Sequence, residues 1–530
     1  MSALTGTGHL VRLILRRDRI VLPLWVLLLA VLPVSYAGSF ATLFPTAAER
    51  AAYATGTARS PSVVALLGPV YGDSVGALTA QRAGFLQVIV GLAALLTVIR
   101  HTRTEEEAGR RELLGATVLG RYAGLTAALL TTYAASLLLG LLTAGGLVAS
   151  GLPAAGSLAY GLSAALVGVV FATVGGLAAQ LTETAGGARG IAAGVLGVTF
   201  ALRLVGDTAR DEWPSWLSPL GWAPRIRAYE GERWWVLVLP VALTALLAVV
   251  TYPVAVRRDI GAGVLPSRRG PGRAGWALSG PFGLAWRLHR GLLLGWSVGF
   301  GLLGATIGGA AEAAGRSVAG NAALEQMMAR LGGASGMAEA YLGASLGIAG
   351  LAAAGYGIQA ALRTRSEEAA GRVEPVLATG VRRLAWLASH LAFALLGPVV
   401  VLAVTGLAAG LAYGLSVDDV PGQLPRLLGA GLAQVPAAWL LAGLAVLLYG
   451  LLPRLSPTAW AVLAVCVLLG QLGAVLELSQ WLLDLSPFTH TPQVLRAGWS
   501  ATPLLTMTGL AGLFAVTGLA AFHRRDVPTI

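Results

Sequence analysis

R-T-E-E-E-A-G-R-R-E-L-L-G-A-T-V-L-G-R, residues 103–121, and R-S-E-E-A-A-G-R-V-E-P-V-L-A-T-G-V-R-R, residues 365–383, read as two copies of one element at an offset of 262. Ten of the 19 aligned positions are identical, among them Arg103/Arg365, Glu105/Glu367, Glu106/Glu368, Gly109/Gly371, Arg110/Arg372 and Glu112/Glu374. Further anchors keep the same order. Arg16, Arg19 and Trp25 match Arg287, Arg290 and Trp296 at offset 271. Trp213, Leu217-Ser218-Pro219 and Pro224 match Trp481, Leu485-Ser486-Pro487 and Pro492 at offset 268. Arg257-Arg258-Asp259 matches Arg524-Arg525-Asp526 at offset 267. A period this long means one folding unit used twice.

Around these anchors the chain is apolar. Of 530 residues, 56% are hydrophobic and 12% charged, where soluble domains carry about a quarter. A bilayer accommodates such a chain, because each spanning helix takes about 20 apolar residues. The apolar runs are 20–40, 79–100, 121–148, 156–180, 188–206 and 234–256, then 292–312, 341–362, 384–415, 425–452, 457–476 and 501–522. They are continuous rather than alternating, and backbone groups in lipid must be satisfied internally, so helices are predicted and a β-barrel is excluded. The expected fold is an all-α integral membrane protein of about 12 spans in two six-span repeats. The expected organisation is a first half at 1–260, a Gly/Pro/Arg linker at 261–280 and a second half at 281–530. An even span number gives both halves one orientation, a parallel repeat about an axis along the membrane normal.

Arginine sets the sidedness. Arg12, Arg16, Arg17 and Arg19 precede the first run; Arg100, Arg103, Arg110, Arg111 and Arg121 follow the second. Arg257, Arg258, Arg268, Arg269, Arg273, Arg287 and Arg290 fill the middle. Arg363, Arg365, Arg372, Arg382 and Arg383 follow the second run of the second half, and Arg524 and Arg525 lie near the end. All fall on one side, which is predicted to be the cytoplasm, with both termini. Glu49, Asp207, Asp211, Glu212, Glu230, Glu232, Asp418, Asp419 and Asp484 fall on the other. The first run is too long for a cleaved signal peptide and lacks its small-residue site.

Several functions are excluded. The chain contains no lysine, so no P-loop with its phosphate-binding lysine exists here, and any ATP hydrolysis must come from a partner. The net charge of +12 is spread in short clusters between apolar runs, unlike a nucleic-acid-binding domain. The lone Cys466 excludes an internal disulfide and a cysteine metal cluster. No His, Cys or carboxylate group has metal spacing. G-x-S-x-G at 72–76, 295–299 and 343–347 lacks the strand-turn-helix context of a nucleophile.

On one helix, Glu105, Gly109 and Glu112 would share a face, as would Glu367, Gly371 and Glu374. Glu106 with Arg110, and Glu368 with Arg372, would form i,i+4 ion pairs, and the Gly would let a partner's backbone approach. Conserving this Glu and Gly spacing between copies exceeds what the positive-inside rule requires, and points to a docking element. Here the sequence resembles the permease subunits of type-2 (ABC-2) ABC exporters, whose loop in this position carries an R-x-E-x-x-G-T/R-x-E-x-L-L-like pattern. Leu217–Trp222, Glu232–Trp235 and Arg257–Gly263 resemble fused two-half permeases described as exporters of polyketide antibiotics. The resemblance covers the whole chain. It implies a type V exporter-like fold and a bacterial inner-membrane location. It implies two copies of a separate ABC ATPase, with ATP and Mg bound there and no cofactor in this chain, and outward movement of an amphipathic, antibiotic-like or lipid-like small molecule. It makes Arg103, Glu105, Glu106, Gly109, Arg110 and Glu112, with Arg365, Glu367, Glu368, Gly371, Arg372 and Glu374, the ATPase-coupling helices. The second half departs at Pro375 and at Phe488-Thr489-His490, which replaces Leu220-Gly221-Trp222.

Gly8–Arg19 and Pro281–Gly291 mix apolar residues with Arg at helical spacing, as interfacial elbow helices do. External segments are predicted before the last run of each half, carrying Trp213, Pro219, Trp222, Trp481 and Pro487, with Trp216, Trp234, Trp235 and Trp499 beside them. Arg82, Arg203, Glu312 and Arg426 are expected to snorkel from outer helix ends. Gln359, His390, Gln434 and Gln471 are the polar residues near span centres, candidates for the substrate pathway. A proton- or sodium-coupled transporter is the alternative, since its twelve-span plan is similar, but midplane carboxylates for a proton relay are absent. A membrane enzyme would need a catalytic constellation that the sequence lacks.

Overall fold

The computed structural model describes all residues except 1, 60, 116–117, 209–211, 260, 266–274, 276–277, 279, 317–332, 473–478, 493, 496–499 and 527–530, and excludes the side chains of 61–62, 113–115, 312–316, 333–335, 337 and 471–472. Among the described residues all regular structure is helical. The chain forms two units, 1–270 and 271–530.

In the first unit, α1 (Thr7–Arg17) precedes the first span, α2 (Val21–Leu43). The second span ends in α3 (Leu86–His101), followed by the short α4 (Arg103–Glu107) and α5 (Arg110–Gly115). Then come α6 (Ala123–Ala149), α7 (Ala154–Leu181), α8 (Ala185–Thr208) and α9 (Val238–Arg257). α7 is the axis of the unit and packs against α3, α6, α8 and α9. Small residues let it do so. A Cβ on Gly161 would lie 2.3 Å from the Gly140 carbonyl oxygen, and the converse also holds. Close backbone crossings of this kind are how helices associate in lipid, where apolar burial gives no advantage.

In the second unit, α10 (Pro281–Arg316) and α11 (Gly333–Ala369) are followed by the short α12 (Val373–Ala378). Then come α13 (Arg383–Ser416), α14 (Val420–Leu432), α15 (Val435–Leu451), α16 (Thr458–Leu472) and α17 (Thr502–Arg524). α13 packs against α10, α11 and α14, while α15 packs against α11 and α17.

Among the described residues eleven helices are long and apolar enough to cross a membrane, and the protein is a multi-pass integral membrane protein. The face that α9 leaves open makes the physical case. Its mean hydropathy peaks at 2.3, yet only Pro240 and Thr251 are buried along it. Water would not tolerate so much exposed apolar surface, whereas acyl chains do.

The predicted run at 457–476 appears as α16 as far as Leu472, and its remaining residues lie outside the described ones. Two expectations change. The predicted run at 425–452 is broken at Ala433–Gln434, because Pro436 has no N–H to continue the ladder. The expected second elbow is not a separate element. Pro281–Gly291 continues without a break into the span as α10, whereas α1 is cut from α2 at Asp18–Ile20. The difference lies at one aligned position. Asp18 leaves the helix to meet His101 at 2.7 Å and Arg100 at 3.0 Å, while His289 stays in helix and meets His390 at 2.9 Å.

Gly161→Val tests the α6–α7 crossing. Overpacking predicts a loss of about 1–3 kcal/mol. It is read as a lower melting temperature of the detergent-solubilised protein.

Candidate functional site

The repeated element is not one helix in either unit. Gly109 has φ +69° and Gly371 φ +67°, values that suit glycine and end the helix before them. At Gly371 the closure is of the Schellman type: the Gly371 N–H donates to the Glu368 carbonyl and the Arg372 N–H to the Glu367 carbonyl. The expected common face of Glu105, Gly109 and Glu112, and of Glu367, Gly371 and Glu374, is therefore lost. The expected Glu106–Arg110 and Glu368–Arg372 pairs do not form. The turn shifts each arginine by one position, giving Arg110–Glu105 and Arg372–Glu367, both at 2.7 Å. Nothing approaches within 4 Å of where a Gly109 side chain would start, so within this chain Gly109 supplies backbone shape and not a close contact.

Freed from Arg110, Glu106 turns inward. Its side chain is 1% exposed and takes Arg103 at 2.9 Å, Arg258 at 2.8 Å, and Arg111. Arg103 is fully buried and donates to the carbonyls of Ala179 at 2.8 Å and Ala262 at 2.9 Å. Arg258 also donates to the Gln180 amide oxygen at 2.8 Å. α4 is thereby fastened to the end of α7 and to the residue just past α9. It is also fastened to α8, whose Ala185 N–H donates to Glu107 at 2.9 Å, and to α1, where Arg17 pairs with Glu105. The first residues of the expected linker join in: the Leu265 N–H donates to the Leu181 carbonyl at 2.8 Å. Arg268, Arg269 and Arg273 of that linker lie outside the described residues.

The second unit repeats the fastening with other atoms. Glu368 takes Arg525 at 2.7 Å and the Tyr449 hydroxyl at 2.5 Å. Arg525 is the aligned partner of Arg258, and again it lies just past the last span. The Arg525 guanidinium also lies over the rings of Tyr449 and Phe522, 5.2 and 5.4 Å from their centroids. Val373, where the first copy has Arg111, is buried with Trp386, Leu387, Tyr449 and Phe522.

What remains outside is Arg110 and Glu112 in the first unit, and Arg372 and Glu374 in the second, all exposed; Arg365 is half-buried. Donation to Glu105 raises the Arg110 pKa above the ordinary arginine value, whereas burial lowers that of Arg111; both stay cationic near neutral pH.

The pathway residues are not brought together by any shared hydrogen bond. Gln359 is exposed and accepts from the Trp296 indole at 3.2 Å. His390 is buried against His289. Gln434 sits at the α14–α15 break against Gly350, its amide oxygen buried without a partner among the described residues. The Gln471 side chain lies outside the described residues, as do those of Glu312, Asp211 and Trp499. In the segments before the last spans Trp213 and Trp481 are 63% and 66% exposed, as membrane-interface rings should be. Trp222 donates to the Trp216 carbonyl at 2.6 Å, and Pro219 and Pro487 are buried.

Arg203 does not snorkel. It is fully buried, bonded to Asp207 at 3.2 Å and to the Gly84 carbonyl at 3.1 Å, and Asp207 also takes Arg225 at 2.9 Å and the Ser215 hydroxyl at 2.8 Å. The i,i+4 spacing of Arg203 and Asp207 was the available signal. Arg225 could not be foreseen, because it comes from the segment between α8 and α9 folding back.

The family described as "Multidrug efflux system permease Rv1217c, C-terminal domain" matches residues 8–253 and again residues 278–523. The multidrug efflux system permease protein Rv1217c of Mycobacterium tuberculosis (strain ATCC 25618 / H37Rv) is 46% identical over 527 residues, 99% of this chain and 96% of its own length. The chain belongs to the Rv1217c family of multidrug efflux permeases.

Arg258→Ala leaves a buried carboxylate short of a cation and is expected to cost about 3 kcal/mol. Arg525→Ala is expected to cost less, because Arg525 is 20% exposed and Tyr449 still serves Glu368. Hydrogen–deuterium exchange over 103–112 should rise only in the first variant, and over 365–374 only in the second.

Proposed function

We propose that this efflux permease is the membrane subunit of an ATP-binding-cassette exporter of the ABC-2 class, and that α4–Gly109–α5 and its second-unit counterpart receive the motion of two copies of a separate ATPase. ATP and Mg bind on that partner, and this chain supplies no cofactor. The arginine-rich ends and both termini face the cytoplasm, across a bacterial inner membrane. The observation that carries the reading is the fastening itself: in each unit the repeated element is tied by a glutamate, buried in the first and half-buried in the second, to an arginine just past the last span. An element so tied cannot be pushed without moving the spans. The exposed Arg110, Glu112, Arg372 and Glu374 form the contact surface, and the buried Arg103 and Glu106 and the half-buried Glu368 transmit rather than touch.

The cargo is an amphipathic small molecule, antibiotic-like or lipid-like, moved outward, as the relative's description as a multidrug efflux permease suggests. The resemblance to polyketide exporters narrows it further. Because the two contact surfaces differ, with Pro375 in the second, the ATPases need not engage the two units equally.

Glu112→Arg combined with Glu374→Arg should leave insertion and folding intact and abolish co-purification of the ATPase with a tagged permease. Unchanged recovery of the ATPase would remove the docking role.

A further inference from the structure

A cavity of about 390 Å³ opens beside the first repeated element, between α1, the start of α6 and the end of α9. One side of it is apolar: Leu10, Leu13 and Ile14 from α1, Leu119, and Ala255 with Val256 from α9. The other side carries Arg17, Arg111, Arg121 and Arg258. Glu105 lines the cavity too, and Glu106 stands behind it, so four arginines face two carboxylates and the site keeps two net positive charges. His101 also lines the cavity, and its ring is engaged by Asp18. Arg121 is exposed and has no ion-pair partner among the described residues; its guanidinium lies over the Tyr122 ring, 5.1 Å from the centroid.

The surroundings say what the occupant is made of. Leu13, which lines the cavity, is 49% exposed, and Leu15, Ile20 and Val118 on the adjoining segments are 48%, 69% and 68% exposed. Such large exposed apolar side chains, beside arginines at the end of the spans, mark the boundary of acyl chains and headgroups. A free anion would use the arginines but leave the leucine floor wet. A neutral lipid would use the floor but not the two surplus charges.

We propose that this cavity binds an anionic phospholipid, with its phosphate against Arg121 and the neighbouring guanidinia and the start of one acyl chain over Leu10, Leu13 and Val256. The lipid would wedge α1 against the same arginines, Arg111 and Arg258, that hold Glu106. Bound lipid would thereby stiffen the seat of the first element. The proposal goes beyond the exporter reading and does not depend on it, because binding requires no ATPase.

The test uses the full-length permease alone, purified in detergent and offered phosphatidylglycerol or phosphatidylcholine, with retained lipid counted by native mass spectrometry. Two variants probe the two halves of the site: Arg121→Gln removes the unpaired charge, and Gly124→Phe fills the cavity from α6. Phosphatidylglycerol should be retained in preference to phosphatidylcholine, about fivefold less by Arg121→Gln, the effect of one arginine at an anionic surface. Gly124→Phe should retain little of either, while both variants elute as the wild type does in size-exclusion chromatography. Equal retention of the two lipids by the wild type, or phosphatidylglycerol retention unchanged in both variants, would overturn the proposal.

Discussion

A carboxylate removed from water must be met by cations and donors, or it is lost as a charge. Glu106 is met by three arginines, and the rest of the first unit is arranged so that they can reach it. Gly109 ends α4 early and releases Glu106 from Arg110. Arg103 takes two backbone carbonyls left over where α7 and the linker meet. Arg258, one residue beyond α9, closes the arrangement. In the second unit the same glutamate and the same terminal arginine meet, with a tyrosine hydroxyl in place of the extra arginines. Reusing the contact with changed neighbours identifies the glutamate–arginine pair as the constant part of the design. For an efflux permease it is also the part that joins the exposed turn to the spans.

Much of the fold was legible in the sequence, because the bilayer leaves few choices. The predicted run 121–148 is α6 at 123–149, and 384–415 is α13 at 383–416. Length and apolar content decide such elements, and both are local quantities. The repeated element was legible as a repeat but not as a shape. Helical spacing assigned Glu106 to Arg110, and one positive φ at Gly109 undid it. Partner choice among several arginines depends on which backbone ends meet in space, and sequence spacing does not encode that. The Arg203–Asp207–Arg225 cluster failed to be read for the same reason. A buried arginine looks like a snorkelling one until the segment between α8 and α9 folds over it.

The two units have diverged where a single side chain decides the backbone. Asp18 leaves its helix for His101, and α1 becomes a separate piece; His289 stays, and α10 runs through. Arg111 joins the glutamate cluster, while Val373 joins an aromatic one. These are the substitutions by which two copies of one architecture come to hold their repeated elements with unequal stiffness, buried charge in one and a charge against aromatic rings in the other.

The central claim is that energy enters through the tied elements from a separate ATPase. Transport by the permease reconstituted with that ATPase in sealed vesicles tests it most directly, with a fluorescent amphipathic dye as cargo. The account predicts dye movement that requires ATP, persists when a protonophore collapses the gradient, and stops when the ATPase is left out. Movement without ATP that collapses with the proton gradient would contradict it and make the protein a secondary transporter.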